Sequence, residues 1–261
     1  MSASASLGVA VVTGGASGIG EATARVLSAR GWTTVIADID AERAAAVARE
    51  LGGYALSLDV ADPAAIAPAA EWVEHEVGAV TVLVTSAGMT HPLIPPESFT
   101  VETWDRIIDV DVRGTWLCAA AFGARMARRG RGSIVTIASV TGMRSTPLHA
   151  YGPGKAAVIQ LTQNLAAEWG SSGVRVNCVA PGYTLTPAMQ ALIDAGERDL
   201  ALMAAASVLG RMVSAEDVAR AVAFLAGDDA ASITGVVLPV DAGWLVAPTW
   251  QTYGGLPGAR G

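Results

Sequence analysis

The chain has 261 residues, with 17 Lys plus Arg against 24 Asp plus Glu, and its formal charge of −7 argues against nucleic acid as the main partner. Apolar residues make up 52% and charged residues 16%, enough to fill a large core and far from the composition of a disordered chain. The expectation is one α/β domain over residues 1–261, with 1–6 and 246–261 as tails.

No apolar run approaches the roughly 18 to 20 residues that span a bilayer, and Met1 to Ser6 has no basic segment followed by a hydrophobic one. Neither membrane insertion nor secretion is expected, and the expected compartment is the cytoplasm. Cys118 and Cys178 lie in apolar stretches without CxxC spacing and read as thiols, and His75, His91 and His149 are too scattered for a metal cluster.

The first apolar run, Leu7 to Thr13, reads as a buried strand and leads directly into Thr13-Gly14-Gly15-Ala16-Ser17-Gly18-Ile19-Gly20. Helical spacing begins inside that loop with Ile19, Thr23, Val26 and Leu27. Glycines allow close approach of backbone to a pyrophosphate, and the helix start supplies unpaired amides and a partial positive charge, so the natural ligand is a dinucleotide. The competing reading is an ordinary glycine-rich turn. A second strand, Thr33 to Ala37, ends at Asp38, eighteen positions after Gly20. A carboxylate there can accept hydrogen bonds from both adenosine ribose hydroxyls and repels a 2′-phosphate, which favours NAD. Arg43 is the nearby cation that speaks for NADP, and a cap for the helix starting near Asp40 is the other role open to Asp38.

Tyr54 to Leu58 forms the next strand, and Asp62-Pro63 has the form of an N-cap with a first-turn proline. Further strands are read at Val80 to Thr85, Ser133 to Ala138, Val174 to Val179 and Val236 to Val240. A helix is marked by Val158, Leu161, Leu165 and Trp169, and Ser214 with Asp217 resembles a capping box. Such alternation calls for a parallel sheet with helices on both faces and ligands at the strands' carboxyl ends. Pro187 to Leu209, rich in Ala and Met, reads as a flap, and the Gly- and Pro-containing tail from Val246 as irregular.

Tyr151-Gly152-Pro153-Gly154-Lys155 opens the strongly apolar helix, since proline is tolerated only in a first turn. Tyr151 and Lys155 then share a face, and an ammonium near the phenol favours the phenolate, a group able to exchange protons at physiological pH. The same spacing also suits a helix face with a snorkelling lysine. Ser139 closes the fifth strand twelve residues earlier, where its hydroxyl can orient a substrate oxygen or cap a turn.

In this order, the glycine loop, Asp38, Ser139 and the Tyr151/Lys155 pair make the chain resemble the short-chain dehydrogenase/reductase family over nearly its whole length. Asp59-Val60, Ala87-Gly88, Asn177 through Pro181-Gly182, Thr186, Thr234-Gly235 and Val240-Asp241-Ala242-Gly243 add to the resemblance. It implies a single-domain Rossmann-like three-layer fold with a seven-stranded parallel sheet, NAD at its carboxyl edge, and a homo-oligomer, tetramer before dimer. It implies Tyr151 as general acid/base, Lys155 on the nicotinamide ribose, and Ser139 on the reacting oxygen. Cofactor contacts are implied for Gly14, Ser17, Gly18, Ile19, Gly20, Asp38, Asp59, Val60, Ala87, Gly88, Pro181, Gly182, Thr184 and Thr186.

Two departures stand out. Asp111-Val112-Arg113-Gly114 places aspartate where the family has a relay asparagine, so Asp111 either holds the relay water or pairs with Lys155. Thr85-Ser86-Ala87-Gly88 replaces the family's Asn-Asn-Ala-Gly. The substrate wall is expected from Met89, His91, Arg144, His149 and Tyr183, with Val140, Met143 and Met189 beside them, for a small-molecule secondary alcohol among cyclic alcohols, sugars and polyols. Arg125, Arg128, Arg129 and Arg131 keep 3-oxoacyl carrier-protein reduction as an alternative, and a non-catalytic NAD(H) sensor is the reading from another class. Trp244, Trp250 and Tyr253 suggest a tail packed on a neighbouring subunit.

Overall fold

Short runs of Val, Ile and Thr with no polar face become strands only where both faces are covered. In the computed structural model, which describes residues 6–257, they do so as β1 (Val9–Thr13), β2 (Thr33–Asp38), β4 (Val80–Thr85), β5 (Gly132–Ile137) and β6 (Val174–Pro181), while β3 (Tyr54–Ser57) is a partly exposed edge strand with none of these residues. Between them run α1 (Gly18–Ala29), α2 (Ala41–Leu51), α3 (Pro63–Trp72), α4 (Val101–Ile108), α5 (Thr115–Arg129) and α6 (Tyr151–Trp169). After β6 come β7 (Thr184–Leu185), α7 (Pro187–Asp194), α8 (Leu200–Ala205), β8 (Val213–Ser214), α9 (Ala215–Ala226) and β9 (Val237–Val240).

Seven strands form one parallel sheet in the order β3-β2-β1-β4-β5-β6-β9, the Rossmann-like α/β architecture expected. One face carries a core in which Val11, Leu83 and Ile134 of the sheet meet Cys118, Phe122 and Met126 of α5. On the other face Val12, Ile36 and Val84 meet Leu27 of α1 and Val218 and Val222 of α9. The strand order turns back between β1 and β4, with β2 and β3 added on one side and β5, β6 and β9 on the other, so the carboxyl ends of β1 and β4 leave a crevice between diverging loops. Thr13 bridges that crevice: its carbonyl accepts the Ser86 amide at 3.2 Å and its hydroxyl the Ala87 amide at 3.2 Å.

The two predicted helix starts are present. Asp62 accepts the Ala64 amide at 2.9 Å ahead of Pro63, and Ser214 and Asp217 exchange the two bonds of a capping box. Sequence reading missed the two-stranded parallel pair β7–β8, whose strands are too short to carry a period of two. This pair closes off the flap, which is built as α7 and α8. Pro248–Tyr253 winds into 3-10 turns where irregular chain was expected, while residues 1–5 and 258–261 of the predicted tails lie outside the described residues.

Both cysteines are buried free thiols, and burial pushes Cys118 up to about 12. Among the described residues no helix is long and apolar enough to cross a membrane, and no cluster of His, Cys, Asp or Glu could hold a metal.

Candidate active site

A cleft of about 720 Å³ opens at the carboxyl ends of β1, β4, β5 and β6. The glycine loop lines its floor, and its glycines serve different purposes. A Cβ on Gly14, which has φ +63°, would stand 2.7 Å from the Ala87 backbone, so the loops after β1 and β4 can approach only through glycine. A Cβ on Gly20 would collide with the Gly14 carbonyl. At Gly18, φ +54°, an added Cβ meets only Thr186 at 3.5 Å. Ser17 is the N-cap of α1 but its side chain makes no capping bond, which leaves its hydroxyl and the first-turn amides without a helical partner. This cradle fits a pyrophosphate. Gly20→Ala is expected to lower stability by about 1–3 kcal/mol through overpacking and to erase the thermal shift produced by a dinucleotide, both read from melting curves with and without cofactor.

Asp38 ends β2 in the cleft wall, where Oδ2 accepts the Ala16 amide at 3.0 Å and Oδ1 the Asp40 amide at 3.0 Å. The cap of α2 is Asp40, which accepts the Arg43 amide, so Asp38 is not that helix's cap. Two amides fix the Asp38 carboxylate and leave it lone pairs for a ribose. Arg43 and Ile39 line the same end of the cleft. Asp59 and Val60 also line it; Asp59 accepts the Ala61 amide at 2.9 Å and stands 3.9 Å from Arg106.

At the other end, Tyr151 and Lys155 lie one helical turn apart at the start of α6, with the Lys155 ammonium 5.3 Å from the Tyr151 ring centre. Ser139 lies 7% exposed at the end of β5, where its hydroxyl accepts the Thr141 amide at 3.2 Å and keeps its own proton free to donate. Turn cap and cleft-facing hydroxyl are therefore the same group. Lys155 is 4% exposed and gives a hydrogen bond to the Ile137 carbonyl at 3.1 Å.

Asp111 is fully buried, with Oδ2 3.0 Å from Lys155 Nζ and Oδ1 accepting the Met89 amide at 2.8 Å. A π-helical turn over Asp109–Gly114, between α4 and α5, carries this carboxylate. Gly88 keeps the meeting point clear, since a Cβ there would stand 3.3 Å from Lys155 Nζ. Burial by itself pushes the Lys155 ammonium down in pKa, but the Asp111 carboxylate, with Tyr151 adding to it, more than offsets this and the net shift is upward. Of the two roles open to Asp111, pairing with Lys155 is the one the geometry shows.

The expected substrate wall is only partly assembled. Met89 lines the cleft, as do Met189, Thr184 and Thr186. His91 does not. It is 5% exposed, edge-on to Phe99 at 4.6 Å, with Nδ1 2.7 Å from the Pro92 carbonyl and Nε2 accepting the Ala150 amide at 3.4 Å. One tautomer, protonated at Nδ1, satisfies both, so His91 buttresses the residue before Tyr151. Tyr183 also stays outside the lining because its ring packs on Trp244 at 5.9 Å. Arg144 and His149 face a separate, smaller recess.

A family model described as "Enoyl-(Acyl carrier protein) reductase" matches residues 14–245. Two relatives agree with it. The cis-4-hydroxycyclohexanecarboxylate dehydrogenase of Sinomonas cyclohexanicum is 41% identical over 90% of this chain and 96% of its own. D-threitol dehydrogenase of Mycolicibacterium smegmatis is 38% identical over 91% and 93%. The chain belongs to the short-chain dehydrogenase/reductase family. A Brucella melitensis 16M structure named ribose-5-phosphate isomerase superposes with a TM-score of 0.95 at 51% identity, covering 98% of this chain and 100% of that one. The protein ElxO with NADP bound superposes with a TM-score of 0.85 at 28% identity over 91% and 98%. This short-chain dehydrogenase/reductase is thus an oxidoreductase of the class that uses a nicotinamide dinucleotide.

Several lining groups escaped sequence reading. Arg106, from α4, comes within reach of Asp59 although 47 residues separate them, and Thr90 and Val110 join the wall without any motif. One signal was available and went unused: Lys155 is the chain's only lysine, every other cation being arginine. Of the arginine cluster, Arg125 and Arg129 are engaged by Glu71 and Glu74, which weakens it as a docking face for an acidic carrier.

Proposed function

We propose that this short-chain dehydrogenase/reductase is an NAD-dependent dehydrogenase that interconverts a secondary alcohol, namely a cyclic alcohol, sugar or polyol, and its ketone. The observation that carries this reading is the convergence of Ser139, Tyr151 and Lys155 on the cleft whose far end is the glycine loop and Asp38. A bound nicotinamide dinucleotide would supply the hydride acceptor for the carbinol carbon. Ser139 would donate its free proton to the substrate oxygen and hold it beside Tyr151. Tyr151 would take the hydroxyl proton as the C–H bond breaks, and return it in reduction. Lys155 would hold the nicotinamide ribose and keep positive charge next to the phenol, and Asp111 would fix Lys155 and the Met89 backbone in register.

The names of the relatives support an alcohol substrate, two of them cyclic or open-chain polyhydric in type. An isomerase reading, which the Brucella protein's name would suggest, has no observation in its favour: an aldose–ketose isomerisation has no need of a dinucleotide cradle. An NAD-linked screen over cyclic alcohols, sugars and polyols tests the reading, with NADP as the control; absence of turnover across the panel would overturn it.

Cofactor choice rests on Asp38. Asp38→Asn is expected to lower kcat/KM with NAD by about 10- to 100-fold, since two charge-assisted ribose bonds weaken, and to relieve the repulsion of NADP. A higher kcat/KM with NADP than with NAD in the unaltered enzyme would assign the specificity to Arg43 and Arg106 instead. A cytoplasmic homo-oligomer, tetramer before dimer, completes the proposal; Trp250 and Tyr253, 48% and 86% exposed, are the tail residues that a neighbouring subunit would cover.

A further inference from the structure

Charge divides the lining of the cleft. Asp38, Arg43, Asp59 and Arg106 border its adenosine end, and Lys155 at the other end is already held by the Asp111 carboxylate and the Ile137 carbonyl. Among the described residues no His, Asn, Gln or Glu lines the cleft anywhere. Its hydroxyls are largely committed as well. Ser17 belongs to the phosphate cradle, with Thr186 beside Gly18; Thr184 donates to the Gly182 carbonyl at 3.0 Å; and Ser86 stands where β1 meets β4. Ser139 and Tyr151 meet the reacting oxygen, which leaves the exposed Thr90 as the remaining hydroxyl for a substrate.

The wall beside the reacting position is apolar. Met89 follows Gly88, and its amide is fixed by Asp111, the residue that also holds Lys155. Met189 comes from the first turn of α7, with its amide fixed by the Thr186 hydroxyl at 3.2 Å and Pro187 and Ala188 next to it in the lining. Both methionines are partly buried. A thioether is a weak acceptor and no donor, while its unbranched chain moulds itself to an apolar ring. A sugar or polyol would carry several hydroxyls out of water into this wall, and each would lose hydrogen bonds without replacement.

We propose that the substrate is an apolar cyclic secondary alcohol, received between Met89 and Met189, in which the reacting hydroxyl is the main polar group, and that sugars and polyols are poor substrates. This rests on the dehydrogenase reading above and selects one class among the alcohols it allows. The carbinol carbon would give its hydrogen with the C–H electron pair to NAD and its hydroxyl proton to Tyr151, leaving the cyclic ketone and NADH.

Cyclohexanol, trans-1,2-cyclohexanediol and myo-inositol share one ring and differ in their count of hydroxyls, so kcat/KM along this series reads the wall directly. Cyclohexanol is expected to be the best of the three, the diol to be weaker by up to about 10²-fold, and inositol by about 10³-fold or more. Inositol equal to or better than cyclohexanol overturns the proposal. Met89→Gln and Met189→Gln nearly keep the side-chain length and add a donor and an acceptor. Each is expected to narrow the cyclohexanol-to-inositol ratio by about tenfold, and a ratio unchanged in both variants removes the methionines from the substrate wall and overturns the proposal. If the parent turns over none of these alcohols, the dehydrogenase reading fails on this series, and melting curves of its dinucleotide complex with each alcohol decide the pocket separately. Stabilisation by cyclohexanol and not by inositol would keep the apolar ring as the ligand; any other pattern overturns that too.

Discussion

Tyr151→Phe is expected to lower kcat by about 10²- to 10⁴-fold, the usual worth of a positioned acid or base, while dinucleotide affinity and melting temperature stay close to those of the parent. The substitution removes one oxygen and keeps the ring. The ammonium of Lys155, 5.3 Å from the ring centre, therefore keeps its aromatic neighbour as well as the Ile137 carbonyl and the Asp111 carboxylate that hold it. Gly152 and Gly154 continue the helix through bonds to Leu148 and Ala150 that do not involve the phenol. Loss of turnover with retained cofactor binding would thus report proton transfer rather than folding. Turnover within tenfold of the parent would remove Tyr151 from the chemistry and with it the proposed mechanism. Equal cofactor binding with no activity in either protein would favour a dinucleotide sensor.

Asp111→Ala is expected to destabilise the fold by about 3–5 kcal/mol, because it leaves a buried ammonium with a single carbonyl for company. The pH dependence of that loss is the sharper measurement. In the parent the folded-state pKa of Lys155 is raised, so the pair's contribution is fully present through neutral pH and is lost only as pH climbs beyond the ordinary lysine range, about 10.4. Without the carboxylate, burial, the largest influence on the lysine, is opposed only by Tyr151 and Cys178 and is expected to depress it instead. The unfolded chain then binds more protons than the folded one over the window below about 10.4, and the variant gains stability as pH rises through it. Urea midpoints at pH 7 and pH 9.5 should show the gap between parent and variant narrowing. A gap that stays constant would mean that the ion pair carries no net stabilisation and that the loss, if any, comes from the orphaned Met89 amide.

Local patterns made most of this fold legible. Most of the sheet strands are apolar runs rich in β-branched residues, long enough to declare themselves, and the glycine loop and the Tyr151/Lys155 turn each lie within eight consecutive residues. What was hidden depended on distant partners. The direction of His91 is set by Phe99 and by the amide of Ala150, and that of Tyr183 by Trp244, so adjacency to a motif misled in both cases. Arg144 and His149 lie between Ser139 and Tyr151 in sequence, yet they line a recess other than the cleft. Asp111 was suspected as a partner of Lys155 from its place in the chain, but its grip on the Met89 amide came only with coordinates, since 22 residues separate them.

Guanidinium groups supply every other side-chain cation here, so Lys155 holds the only side-chain primary amine in the molecule. Carbonyl compounds condense with amines, and under the proposed activity the product is a ketone. Enclosing that one nitrogen between a carboxylate and a peptide oxygen protonates it and withdraws it from attack. Under the proposed activity, the same arrangement would spare the enzyme from covalent adducts with its own products.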